Sequence, residues 1–123
     1  MSVHGERQVG ALRGATTVER DDPALVRAAT RELLEQIIVR NSILAGDIIS
    51  VVFSVTNDLT SEYPARAARE LGWIDVPLLC TTEIPVPGSL PRCIRVLLHL
   101  ESTRPRRQLT SVFLNGTEAS TRY

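Results

Sequence analysis

The chain has 123 residues, enough for one domain. Apolar residues make up 43% and charged residues 23%, a globular balance, but only 4% are aromatic, so the core has to come from Val, Leu, Ile and Ala. A formal net charge of zero argues against a nucleic-acid partner held by counterion release, and no stretch is long and apolar enough to span a bilayer.

Residues 1–8 read as a flexible extension. They are polar and lack the apolar run of a signal peptide, which favours the cytoplasm. Residues 9–19 read as a strand passing into a loop. Asp22-Pro23 is a helix start, with Asp as N-cap and Pro at the first helical position. The helix is expected over residues 23–40, where Leu25, Val26, Ala29, Leu33, Leu34, Ile37 and Ile38 form an apolar stripe. Residues 48–55 are a near-continuous apolar run rich in β-branched side chains, a buried strand. After a polar loop over residues 56–61, Pro64 opens a short helix, residues 65–71, which Gly72 closes.

A short strand follows at residues 76–80. Pro85, Pro87, Gly88 and Pro91 impose an irregular loop, and residues 93–100 are a strand. Residues 103–108 form a turn, residues 109–114 a last strand, and residues 115–123 a polar tail. The order β-α-β-α-β-β-β describes an α+β fold, a mixed β-sheet with two helices on one face. The other face is left bare, and a bare face on a small domain is usually buried in an oligomer.

Arg95 interrupts that apolar strand. Ile94, Val96, Leu98 and Leu100 fall on one of its faces, and Cys93, Arg95, Leu97 and His99 on the other. An unpaired buried ion costs on the order of several kcal/mol. Either this second face is wet, or something negative meets Arg95. Arg13 and Glu83 are the other polar groups placed near strand ends. Arginine donates two parallel hydrogen bonds to a carboxylate, so two arginines and one carboxylate suit a small ligand with two carboxylates and a hydroxyl. Spacing alone leaves other readings open: Arg13 and Glu83 as surface charges, or Glu83 as the ion-pair partner of Arg95.

Other chemistries find little support. Gly14-Ala15-Thr16 is not a phosphate loop, and no Ser or Cys has a His at a motif spacing. His4 and His99 have no metal-ligand spacing. Cys80 and Cys93 read as free thiols. A reaction with no nucleophile, metal or cofactor fits what is present.

The segments Leu12-Arg13-Gly14-Ala15-Thr16-Thr17-Val18-Glu19, Val76-Pro77-Leu78-Leu79-Cys80-Thr81-Thr82-Glu83-Ile84 and Pro91-Arg92-Cys93-Ile94-Arg95-Val96 resemble the small monofunctional chorismate mutases of the Bacillus type. So does Tyr63-Pro64-Ala65-Arg66-Ala67-Ala68-Arg69-Glu70-Leu71-Gly72-Trp73. The resemblance covers about residues 9–114, between the extension and the tail. It implies a homotrimer forming a pseudo-α/β barrel, with active sites at subunit interfaces. It implies an isomerase that rearranges chorismate to prephenate in the shikimate route to Phe and Tyr, without a cofactor.

By the same resemblance, Arg95 donates to the breaking ether oxygen, Arg13 holds a carboxylate and Glu83 accepts from the ring hydroxyl near Cys80. Tyr63, Ala65 and Arg69 come from the neighbouring subunit. Two positions depart from the pattern. Phe113 stands where a tyrosine usually hydrogen-bonds a substrate carboxylate, and Arg122 matches the tail arginine only with a one-residue shift. These departures keep a second reading in view, a non-catalytic trimeric binder of a small anionic metabolite.

Overall fold

The computed structural model describes residues 6–118; His4 and Arg122 lie outside them. The chain runs β1 (Gln8–Thr17), α1 (Pro23–Asn41), β2 (Ile48–Val55), α2 (Ala65–Glu70), β3 (Leu78–Thr82), β4 (Cys93–Ser102) and β5 (Val112–Phe113), in the expected order. The five strands form one mixed sheet, ordered β3-β2-β4-β1-β5. β4 is antiparallel to both β1 and β2, while the outer strands β3 and β5 run parallel to β2 and β1. The fold is therefore α+β, as expected.

Asp22 starts α1 by accepting from the backbone N–H groups of Ala24 and Leu25, with Pro23 inside the first turn. The apolar stripe then faces the sheet. Leu33, Leu34 and Ile37 are fully buried against Leu12, Val51, Phe53, Val96, Leu98 and Leu100. Gly14 allows this close approach. A Cβ there would come within 3.0 Å of Ile37 and Val96 and 3.1 Å of Leu33, so even a methyl group would require these side chains to shift by a few tenths of an ångström. α2 and the turn after it add Ala68 and Trp73 to the same layer.

Boundaries differ from expectation in several elements, by one or two residues in α1, α2 and β4 and more informatively in three strands. Gln8 belongs to β1 rather than to the extension, and the neighbouring Arg7 pairs with Asp47 at 2.8 Å. β3 starts two residues late, at Leu78, because Pro77 has no N–H to donate; it runs on through the β-branched Thr81 and Thr82, which pair with Ser54 and Val55. β5 is only Val112–Phe113. The backbone of Thr110 is diverted to Asn41, whose amide donates to Thr110 O at 2.9 Å and accepts from Thr110 N at 2.7 Å.

The alternation in β4 holds. Ile94, Val96, Leu98 and Leu100 are buried under the helices, while Arg95, Leu97 and His99 face the other way. Among the described residues no helix covers that second face, and Leu79 is left 61% exposed on it.

Candidate active site

Strand register builds a row of side chains across the open face. Thr81 pairs with Ser54, Ser54 with Arg95, Arg95 with Ala15, and Ala15 with Phe113. Residues directly paired across a sheet point to the same face. Ala15 is the smallest member of the row, so a hollow opens between the long Arg95 side chain and the Phe113 ring. The adjacent row contributes Val52, Leu97 and Arg13. All of these except Thr81 line a pocket of about 230 Å³, and Glu83 lines it with them. Two guanidiniums and one carboxylate leave the pocket cationic, suited to a small anion.

Arg13 lies in the middle of β1, opposite Leu97, and not at the strand end as expected. Glu83 follows β3 directly, and its N–H donates to Val55 O at 2.8 Å, extending the ladder by one bond. Its carboxylate meets two partners. Oε1 is 2.9 Å from Arg95 Nε, and Oε2 accepts from the Ser54 hydroxyl at 2.8 Å. Both members of the ion pair are about a quarter exposed, so water weakens their attraction and the pair contributes little to folding. The anion beside Arg95 within this protomer is thus Glu83, and Arg95 also stays open to the pocket. On their other side, Arg95 and Glu83 border a larger hollow of about 720 Å³ beneath the proline-rich loop of residues 84–91.

The remaining expected site residues lie elsewhere in the protomer. Cys80 pairs with the buried Phe53 and so faces the helices, away from Arg95. Burial pushes its thiol up from the ordinary 9.0, against a smaller opposing hydrogen bond with the Ala65 backbone. Cys80 and Tyr63 share a separate groove along the β3 edge, of about 470 Å³. Arg69 donates to the carbonyls of Trp73, Ile74 and Val76 and so secures the turn after α2. The structure thus brings Arg13, Glu83, Arg95 and Phe113 together, and sets Tyr63, Ala65 and Cys80 apart at the sheet edge.

Ser54 was not anticipated. β2 reads as uniformly buried, yet its serines at 50 and 54 share the open face with Val52, and this period-two polarity was the available signal. Cys93 is buried beside Arg95. Burial raises its thiol above the ordinary 9.0, and an interaction with Arg95 acts in the opposite sense.

Comparison with known proteins identifies the family. The family model for chorismate mutase type I matches residues 9–122. The chain is 48% identical over 107 residues to chorismate mutase AroH of Thermus thermophilus, covering 86% of this chain and 88% of that protein. It is 41% identical over 107 residues to chorismate mutase AroH of Bacillus subtilis, covering 86% and 84%. A solved chorismate mutase from Clostridium thermocellum superposes with a TM-score of 0.87 at 42% identity, covering 89% of this chain and 97% of that one. With nearly its whole length matched, the chain belongs to the type I chorismate mutase family.

Proposed function

We propose that chorismate binds over the Arg13–Glu83–Arg95 face and rearranges there to prephenate, with a neighbouring protomer completing the site. Membership of the family makes the protein a chorismate mutase, an isomerase of the shikimate route to the aromatic amino acids. The observation that carries the assignment of the site is the row across the sheet, in which Ala15 leaves room for a ligand between Arg95 and Phe113.

The reaction is unimolecular and pericyclic, so the protein forms no covalent bond. It has two tasks. It must hold the flexible enolpyruvyl ether in its folded shape, an effect of orientation. It must also stabilise the charge that separates as the C–O bond breaks, an effect of preorganised electrostatics. In this reading Arg95 meets negative charge on the ether oxygen, Glu83 meets positive charge on the ring and accepts from its hydroxyl, and Arg13 holds a carboxylate. No thiol or hydroxyl nucleophile is needed, in keeping with the raised thiols of Cys80 and Cys93.

A homotrimer supplies the missing wall. The open face carries Leu79 and Leu97 exposed to water in the single chain, an apolar surface that assembly would cover. The groove with Tyr63 and Cys80 sits on the outer strand of the same sheet. Packing one protomer's edge against the next one's open face brings Tyr63, Ala65, Arg69 and Cys80 to the pocket. Arg69 has to reach substrate with the part of its guanidinium turned away from the three carbonyls. Among the described residues no helix is long and apolar enough to cross a membrane, and Cys80 and Cys93 are free thiols, which supports a cytoplasmic site of action.

The test is loss of chorismate absorbance on adding purified protein, with prephenate identified as product. Saturable binding of chorismate without turnover would replace this reading with that of a binding protein.

A further inference from the structure

We infer that Ser54 is a positioning residue of this site: its hydroxyl fixes the Glu83 carboxylate, and through Glu83 the Arg95 guanidinium, in the arrangement the reaction uses. The inference rests on the reading of Glu83 and Arg95 given above. Glu83 is the first residue beyond β3, where regular pairing stops, and one backbone hydrogen bond to Val55 O ties it down. Its side chain turns about several bonds, and a partly exposed ion pair to Arg95 is a weak restraint on it.

Ser54 supplies a second restraint from a different direction. It lies on β2, inside the sheet, with its Cα directly across from that of Arg95. Its hydroxyl donates to Oε2 at 2.8 Å, and Oε1 lies 2.9 Å from Arg95 Nε in an ion pair that lacks hydrogen-bond alignment. The Ser54 hydrogen bond thus adds direction to an ion pair that has little of its own, and sets which oxygen faces the guanidinium. A site whose catalysis is electrostatic depends on this kind of fixed geometry, because reorganising dipoles during the reaction costs rate. Removing the hydroxyl leaves Glu83 charged and paired but free to turn towards water.

The test compares Ser54→Thr with Ser54→Val, two side chains of matched shape that differ in the hydroxyl. Ser54→Thr should keep kcat within about twofold of the parent. Ser54→Val should lower kcat about tenfold, with KM within about twofold and melting temperature matching that of Ser54→Thr. Equal kcat for the two variants, or a loss confined to KM, overturns the inference. Should a branched side chain at this position prevent folding, Ser54→Ala against the parent makes the same comparison without added bulk.

Glu83→Gln is assayed alongside. A parent-like rate for Glu83→Gln would remove the reading of Glu83 itself. A large loss there, with Val and Thr alike at position 54, would remove the Ser54 inference alone. In the Glu83→Gln background, Ser54→Ala should add no further loss, because both changes act on one carboxylate. A fully additive loss would mark Ser54 as acting elsewhere.

Discussion

The Arg13 guanidinium lies over the face of the Phe113 ring, with Cζ 5.9 Å from its centroid. Ser111, two residues earlier, accepts from the Arg13 backbone N–H at 3.0 Å and ties this short strand to β1. The ring thus shapes one wall of the pocket and steadies a cation beside it, a contact worth about 0.5–1 kcal/mol at a partly exposed site. It offers substrate no hydrogen bond.

Phe113→Tyr adds a donor at the edge of the same ring without disturbing β5. A hydrogen bond to a charged group is worth about 1.5–3 kcal/mol, so KM should fall about tenfold or more while kcat changes little. Steady-state kinetics on the purified variant checks this. An unchanged or higher KM would show that water or another group already serves the carboxylate.

Arg95→Ala should reduce kcat about 100- to 1,000-fold, the usual cost of losing a donor aimed at developing negative charge. The fold should survive, because the side chain lies on the open face and Ile94 and Val96 carry the packing. Arg95→Lys should recover only a small part of the rate, since an ammonium lacks the planar fork. Near-parental chorismate consumption by Arg95→Ala, with an unchanged melting temperature, would refute the assignment.

Assembly can be tested away from the pocket. Leu79 is 61% exposed on the open face and does not line the pocket beside Arg95. If a second copy covers it, Leu79→Glu buries a carboxylate at a cost of several kcal/mol and should yield monomers in sedimentation equilibrium. Activity should fall with assembly while the circular dichroism spectrum is retained. A Leu79→Glu protein of parental mass and parental activity would exclude the open face as the interface.

Much of the fold was readable because local signals and packing agree. Asp22-Pro23 starts α1, and the alternation in residues 93–100 separates the buried and open faces correctly. β3 and β5 were misjudged where pairing partners decide. The missing donor at Pro77 was legible in the sequence but does not by itself say where pairing begins, and the capture of Thr110 by Asn41 depends on the tertiary neighbourhood. In the site, Arg95 stood out as a charge in an apolar strand. Arg13 and Glu83 were singled out by their places near strand ends, but their roles came through resemblance, because spacing cannot show that Arg13 and Phe113 are adjacent across β1 and β5. Ser54 was hidden because a serine in an apolar strand carries no mark of its partner, which is 29 residues away.

Acid should weaken the protein at the segment that carries Tyr63. Glu62 accepts from Tyr63 N at 2.9 Å, Arg27 Nη1 at 2.6 Å and Arg66 Nε at 3.0 Å, joining α1 to α2. The Tyr63 N–H, followed by Arg27, holds its carboxyl below the ordinary 4.5. Asp21 is held below the ordinary 3.8, first by Ser61 and then by the Thr60 N–H. Both groups release their protons more readily in the native protein than in the unfolded chain. The stability they provide is therefore complete above about pH 4.5 and drains away as pH falls through their lowered values. The melting temperature should be flat from pH 7 to about 5 and then decline. Glu62→Gln should lower it at pH 7 and flatten part of the acid decline, because the variant has no carboxylate at this position to protonate. An acid decline as steep in Glu62→Gln and Asp21→Asn as in the parent would place the sensitive carboxyls elsewhere.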